Sequence, residues 1–176
     1  MNRTQGKVLI VEDDLNILET MADLLEINRY EVYKASDGLR GLEQLERQVP
    51  DVIISDIMMP YMDGFDFLRH VRQNRETEHV PVLFVTAKVT LDSKIMGLEF
   101  GADDYITKPF EMKELLLKIR NLIDRRAKII RAILTNPDQV DELDRDREFL
   151  RNIKLTWSHH ITNPDLALAT VAEGWG

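Results

Sequence analysis

The feature that most constrains this chain is a repeated change of hydrophobic period. Short β-branched or aromatic runs alternate with longer stretches whose apolar residues fall at helical spacing. Lys7 to Val11, Tyr30 to Lys34, Val52 to Ser55, Val82 to Thr86 and Tyr105 to Thr107 are brief, rich in strand formers and bounded by turn residues. Between them Ile17, Met21 and Leu25, then Leu39, Leu42 and Leu45, then Leu68 and Val71, then Ile95 and Leu98 line successive helix faces. Five strands in strict alternation with five helices imply an α/β fold, a parallel sheet covered on both faces. The last helix is different. From Lys113 its apolar positions Leu115, Ile119, Leu122, Ile129 and Ile133 run beyond what a covering helix needs, with Arg126 interrupting the seam. A short coiled coil through that seam is one expectation. Asn136-Pro137 should end it.

Composition narrows the function classes. A length of 176 residues accommodates one core and an appendage. The net charge of −8, with no basic half, argues against a general nucleic-acid or anionic-membrane surface. There are no cysteines, so disulfides, thiolate metal sites and cysteine nucleophiles are excluded. "MNRTQGKVLIVEDD" has too short an apolar run for a signal peptide, and no segment approaches the ~18 apolar residues of a membrane span. A cytoplasmic protein is expected.

Ligands on open α/β sheets bind beyond the carboxyl ends of the strands. Strand one finishes in Glu12, Asp13 and Asp14, strand three in Asp56, strand four in Thr86 and strand five in Lys108 followed by Pro109. Strands one and three should be neighbours, which brings Asp13 and Asp56 together. Carboxylates so placed repel, and a hard divalent cation with oxygen ligands, magnesium above all, resolves that. Asp56 then becomes an exposed nucleophile for a phosphoryl group, with the cation, the Thr86 hydroxyl and the Lys108 ammonium set to neutralise the phosphoryl oxygens. Each residue also has a plainer reading: a strand-end aspartate as a cap, Thr86 as a β-former, Lys108 as surface charge. For Asp14 the helix N-cap is preferred. What favours chemistry is that acid, acid, hydroxyl and ammonium all fall on one sheet edge.

"KVLIVEDD", "DVIISDIMMPYMDGFDFLRHVR", "VPVLFVTA" and "GADDYITKPF" resemble the receiver domain of two-component response regulators. The resemblance covers about residues 5–126 and leaves 127–176 as a helical extension or linker. It implies a CheY-like five-stranded parallel sheet of order 2-1-3-4-5 with five helices on both faces. It also implies Asp56 as phosphoacceptor, Glu12, Asp13 and the Met58 backbone carbonyl as further Mg2+ ligands, Thr86 and Tyr105 as switch residues, and Lys108 as the phosphate-binding lysine. The Lys108-Pro109 bond is expected cis, the donor a phosphohistidine on a sensor histidine kinase, and the protein a phosphoacceptor that promotes its own phosphorylation and dephosphorylation rather than an enzyme. A phosphoryl group on Asp56 should draw in Thr86, let Tyr105 turn inward and reshape the face of the fourth predicted helix, fifth strand and last helix. There Lys94, Asp104, Glu114 and Lys118 stand where OmpR-like regulators place intermolecular ion pairs, implying a phosphorylation-dependent homodimer. Met58 and Lys88, which flank the site without a carboxylate or amide, suggest slow self-dephosphorylation.

The extension is open to several readings. "DREFLRNIKLTWSHHITNPDLALATVAEGWG" is similar to the lead-in of an AraC-type DNA-binding domain, ending at the glycine of a helix-turn-helix, so that DNA would be met only through a missing recognition helix. It could equally be a structural amphipathic extension. A kinase phosphoacceptor box with His159 is disfavoured by Asp165, and a metal pair of His159 and His160 by their adjacent positions on a helix. The native context is therefore either a transcriptional regulator or a switch acting through protein contacts, as a receiver-only relay or the receiver half of a hybrid histidine kinase.

Overall fold

Nearly continuous apolar strands can be stable only if both faces of their sheet are covered. A computed structural model describes residues 4–87 and 101–135, with side chains through residue 128. Its elements run β1 (Gly6–Val11), α1 (Leu15–Ile27), β2 (Tyr30–Ala35), α2 (Gly38–Arg47), β3 (Val52–Asp56), α3 (Gly64–Gln73), β4 (Val82–Thr86), β5 (Asp104–Thr107) and α4 (Met112–Thr135). The five strands are parallel and ordered β2-β1-β3-β4-β5, as expected. The expected helix at Ile95 and Leu98 lies outside the described residues, as do Lys94, Lys88 and the AraC-like stretch.

Strand alternation sorts the core into two layers. Val8, Ile10, Val52, Ile54, Leu83 and Val85 meet α1 and α4 on one face. Leu9, Val11, Ile53, Val82 and Phe84 meet α2 and α3 on the other. The helices start at the carboxyl edge of the sheet, and three are capped there by aspartates. Asp14 accepts from the amides of Asn16 and Ile17, Asp37 from Arg40, and Asp63 from Asp66. Such caps satisfy amides that the first helical turn leaves without partners. Asp14 is thus the N-cap, as its position before "LNIL" suggested.

One expectation about the last helix needs correction. Leu115, Ile119 and Leu122 are 0%, 0% and 3% exposed within the chain's own core, so the first half of the coiled-coil seam is already occupied. Arg126 is not a break in a dimer seam either. Its guanidinium reaches the amino edge of the sheet, donating to the Pro50 carbonyl at 2.9 Å and contacting His79 Nε2 at 2.8 Å, with Asp51 at 3.6 Å. The helix is therefore fixed to its own domain at that point. The chain divides into two units, Met1–Lys128 and Ile129–Gly176, and the sheet belongs to the first.

Candidate functional site

The carboxyl edge gathers the charged residues that the strand ends promised. Glu12 follows β1 and is 1% exposed, while Asp56 closes β3 and is 8% exposed. One carboxylate oxygen from each of Glu12, Asp13 and Asp56 lies within 4.8 Å of the others. The cause is register, since β1 and β3 are direct neighbours with Val11 opposite Ser55, so their next residues emerge side by side.

Lys108 closes the cluster from β5. Its ammonium donates to Asp56 Oδ2 at 2.6 Å and to Glu12 Oε1 and Oε2 at 3.0 and 2.8 Å. The Lys108 amide donates to the Thr86 carbonyl at 2.7 Å, and Lys108-Pro109 is cis, as expected. Burial pulls the Lys108 ammonium down, but hydrogen bonds and charge attraction from Asp56 and Glu12 together outweigh it and leave its pKa above the usual lysine value. Glu12 is pushed up, chiefly by burial and also by the charge of Asp56, against the lowering contact with Lys108. A buried acid that resists ionisation beside one shared lysine marks an unsaturated demand for positive charge. Three carboxylates, all hard oxygen donors, and a single ammonium among the described residues fit a small divalent cation.

Thr86 ends β4 in the neighbouring strand, 3% exposed, with Val85 opposite Asp56. Met58 is 78% exposed in the loop after β3, and it is its amide that meets the acid, donating to Asp56 Oδ1 at 3.0 Å. Tyr105 packs on Phe84 with ring centroids 5.6 Å apart, and its hydroxyl is buried without a hydrogen-bond partner among the described residues. Burial raises its pKa to about 12. The ring, expected to turn inward on activation, already has its hydroxyl inside.

Asp104 and Lys118 pair within the chain at 2.8 Å, because β5 and α4 are adjacent. Glu114 is exposed in the first turn of α4. Sequence reasoning passed over Ser55, whose buried hydroxyl donates to the Asp56 carbonyl at 2.8 Å, and Gly64, which packs against that same carbonyl. The Asp63-Gly64 pair carried a signal for the second; nothing marked the first.

A doubly wound parallel sheet with acids, a hydroxyl and an ammonium on its carboxyl edge defines a CheY-like signalling module. The chain belongs to the response regulator receiver domain family, whose model matches residues 8–120. It is 42% identical over 129 residues to the transcriptional regulatory protein CiaR of Streptococcus pneumoniae, covering 73% of this chain and 56% of that one. It is 38% identical over 126 residues to the DNA-binding dual master transcriptional regulator RpaA of Synechocystis, covering 72% and 52%. The chain thus spans about half the length of these curated relatives. Among solved structures, the receiver domain of a sensor histidine kinase from Pseudomonas aeruginosa, with a magnesium ion coordinated in its active-site cleft, is similar at TM-score 0.63 and 28% identity, covering 68% of this chain and 98% of that one. Among the described residues no helix is long and apolar enough to cross a membrane.

Proposed function

We propose that Asp56 accepts a phosphoryl group from a phosphohistidine of a sensor histidine kinase, and that the domain uses the resulting acyl phosphate to control an output, most directly transcription. The observation that carries this is the convergence of Lys108 on Asp56 and Glu12 beside a third carboxylate. Magnesium would be held by Glu12, Asp13, Asp56 and the Met58 carbonyl, where it supplies positive charge to the transferring phosphoryl oxygens. The magnesium in the cleft of the Pseudomonas receiver supports that choice.

The chain's own residues do the rest. An Asp56 carboxylate oxygen forms the new bond to phosphorus as the bond from phosphorus to the imidazole nitrogen breaks. The Met58 amide at 3.0 Å and the Lys108 ammonium at 2.6 Å hold the carboxylate in orientation. Orientation of this kind supplies much of the acceleration open to phosphoryl transfer. Once the group is attached, Lys108 can bind a phosphoryl oxygen and the Thr86 hydroxyl another, biasing the segment between Thr86 and Tyr105. The relatives named as transcriptional regulators support DNA as the final target, reached through a separate domain.

With magnesium and acetyl phosphate, intact-mass analysis should show one added phosphoryl group on the wild type and none on Asp56→Asn. Equal labelling of both proteins would overturn the assignment.

A further inference from the structure

Resting on that reading of the site, we propose that Gly64 and, more weakly, Gly38 are positioning residues that clamp the loop between Asp56 and α3 at its two ends. Ile57 and Met59 root this loop in the core, but its exposed turn is not held by its own side chains. Tyr61 adopts φ 67°, a left-handed conformation costly for a tyrosine, and the Met62 amide donates to the Pro60 carbonyl at 2.8 Å in a tight reversal. Met58 and Tyr61 are 78% and 89% exposed, so no packing holds their side chains in place. Yet Met58 has to present its amide to Asp56 at 3.0 Å.

The two glycines supply the constraint. A Cβ built on Gly64 would lie 2.3 Å from the Asp56 carbonyl oxygen and 2.8 Å from Ile57 Cα, both backbone atoms that cannot swing aside. The Gly64 amide meanwhile donates to the Ile57 carbonyl at 2.8 Å, so α3 is drawn against the end of β3 as closely as a bare backbone allows. Near the loop's other end, a Cβ on Gly38 would lie 2.7 Å from Met62 Cγ and 3.0 Å from the Met62 carbonyl oxygen. Here part of the obstruction is a flexible side chain. Relief at Gly64 requires the backbones around Asp56 and the start of α3 to separate by roughly 1 Å, a misplacement that can cost on the order of 100-fold in rate. Relief at Gly38 requires less.

The test compares Gly64→Ala, Gly38→Ala and a packing control, Gly41→Ala. In the control the atoms nearest the new methyl are Phe67 Cε2 at 2.8 Å and Cζ at 3.2 Å and Val11 Cγ2 at 3.2 Å, all core side chains. Three quantities are read: the rate of Asp56 labelling by acetyl phosphate, the affinity for magnesium alone by calorimetry, and the Met58 amide resonance without magnesium. Gly64→Ala should label about 100-fold more slowly, Gly38→Ala a few-fold more slowly and Gly41→Ala at the wild-type rate. Weakened magnesium binding and a displaced Met58 resonance should follow the same order. If circular dichroism shows that Gly64→Ala does not fold, the comparison of Gly38→Ala with Gly41→Ala decides. A Met58 resonance and magnesium affinity unchanged by the clamp variants, or changed equally by Gly41→Ala, would overturn the proposal. A wild type that takes no phosphoryl group would instead overturn the function, while the Met58 resonance continued to test the clamp.

Discussion

Replacing Lys108 by Met removes the one ammonium shared by Glu12 and Asp56 while keeping most of the side chain's volume. The two acids then face each other in a site where they are 1% and 8% exposed. With carboxylate oxygens within 4.8 Å and an effective dielectric near 20, their repulsion is about 3.5 kcal/mol. Breaking a buried ion pair by deleting one partner costs a similar amount in general, about 3–5 kcal/mol. We therefore expect Lys108→Met to be less stable by about 3 kcal/mol at neutral pH without divalent cations. The loss should depend on pH in a definite direction. Glu12 already has a raised pKa, and losing Lys108 removes contacts that lower it. A native state that holds a proton the unfolded chain releases is most stable in acid and loses stability as pH rises through the raised value. Urea unfolding should accordingly show most of the deficit gone near pH ~4, where the acids can take up protons. Saturating magnesium at neutral pH should also remove much of it. A deficit of the same size in acid, at neutral pH and with magnesium would refute the electrostatic account and leave lost packing as the cause.

Three further outcomes are expected. Tyr105→Phe deletes a buried hydroxyl that bonds to nothing among the described residues, so thermal melts should show no loss and a gain of up to about 1 kcal/mol. Because burial raises the Tyr105 pKa to about 12, the wild type should lose stability as pH climbs from the ordinary tyrosine range toward that value, and the phenylalanine variant should lose less. Arg126→Met removes the anchor to the Pro50 carbonyl and should cost about 1–3 kcal/mol, with faster amide exchange around residue 126 in α4; unchanged exchange would show that the anchor holds nothing. If Lys94, Asp104, Glu114 and Lys118 pair across a two-fold axis, a beryllofluoride mimic should strengthen a dimer in sedimentation, Glu114→Lys should oppose it and Lys94→Glu added to that variant should partly restore it. The Asp104–Lys118 pair would then exchange an internal partner for the same partner on the second copy, which makes its net contribution small.

The sequence by itself determined the sheet and most of the site's membership. Hydrophobic period is local, so five strands were readable to within a residue or two of their observed ends. Topology then places the end of every parallel strand on one edge. Glu12, Asp13, Asp56, Thr86 and Lys108 could therefore be gathered without coordinates, and the structure brings the three acids within 4.8 Å of one another with the lysine on Glu12 and Asp56. The Asp14 cap was legible for the same reason, because it acts two and three residues away.

What only the tertiary structure decided involves partners distant along the chain or clearances smaller than an atom. Arg126 looked like a flaw in an apolar seam because its acceptor, the Pro50 carbonyl, lies 76 positions earlier. Leu115, Ile119 and Leu122 offered the same helical stripe to a dimer or to their own core, and only docking on the sheet shows which received it. Asp104 and Lys118 are complementary charges in any sequence, but adjacency of β5 and α4 lets them pair internally. Gly64 drew no attention in the sequence, because its role depends on a backbone oxygen 2.3 Å from where a side chain would begin. Pattern specifies which surfaces are apolar and which residues are charged; it does not specify the remaining distances, which are set when two packed layers fix the strand ends and helix starts against one another.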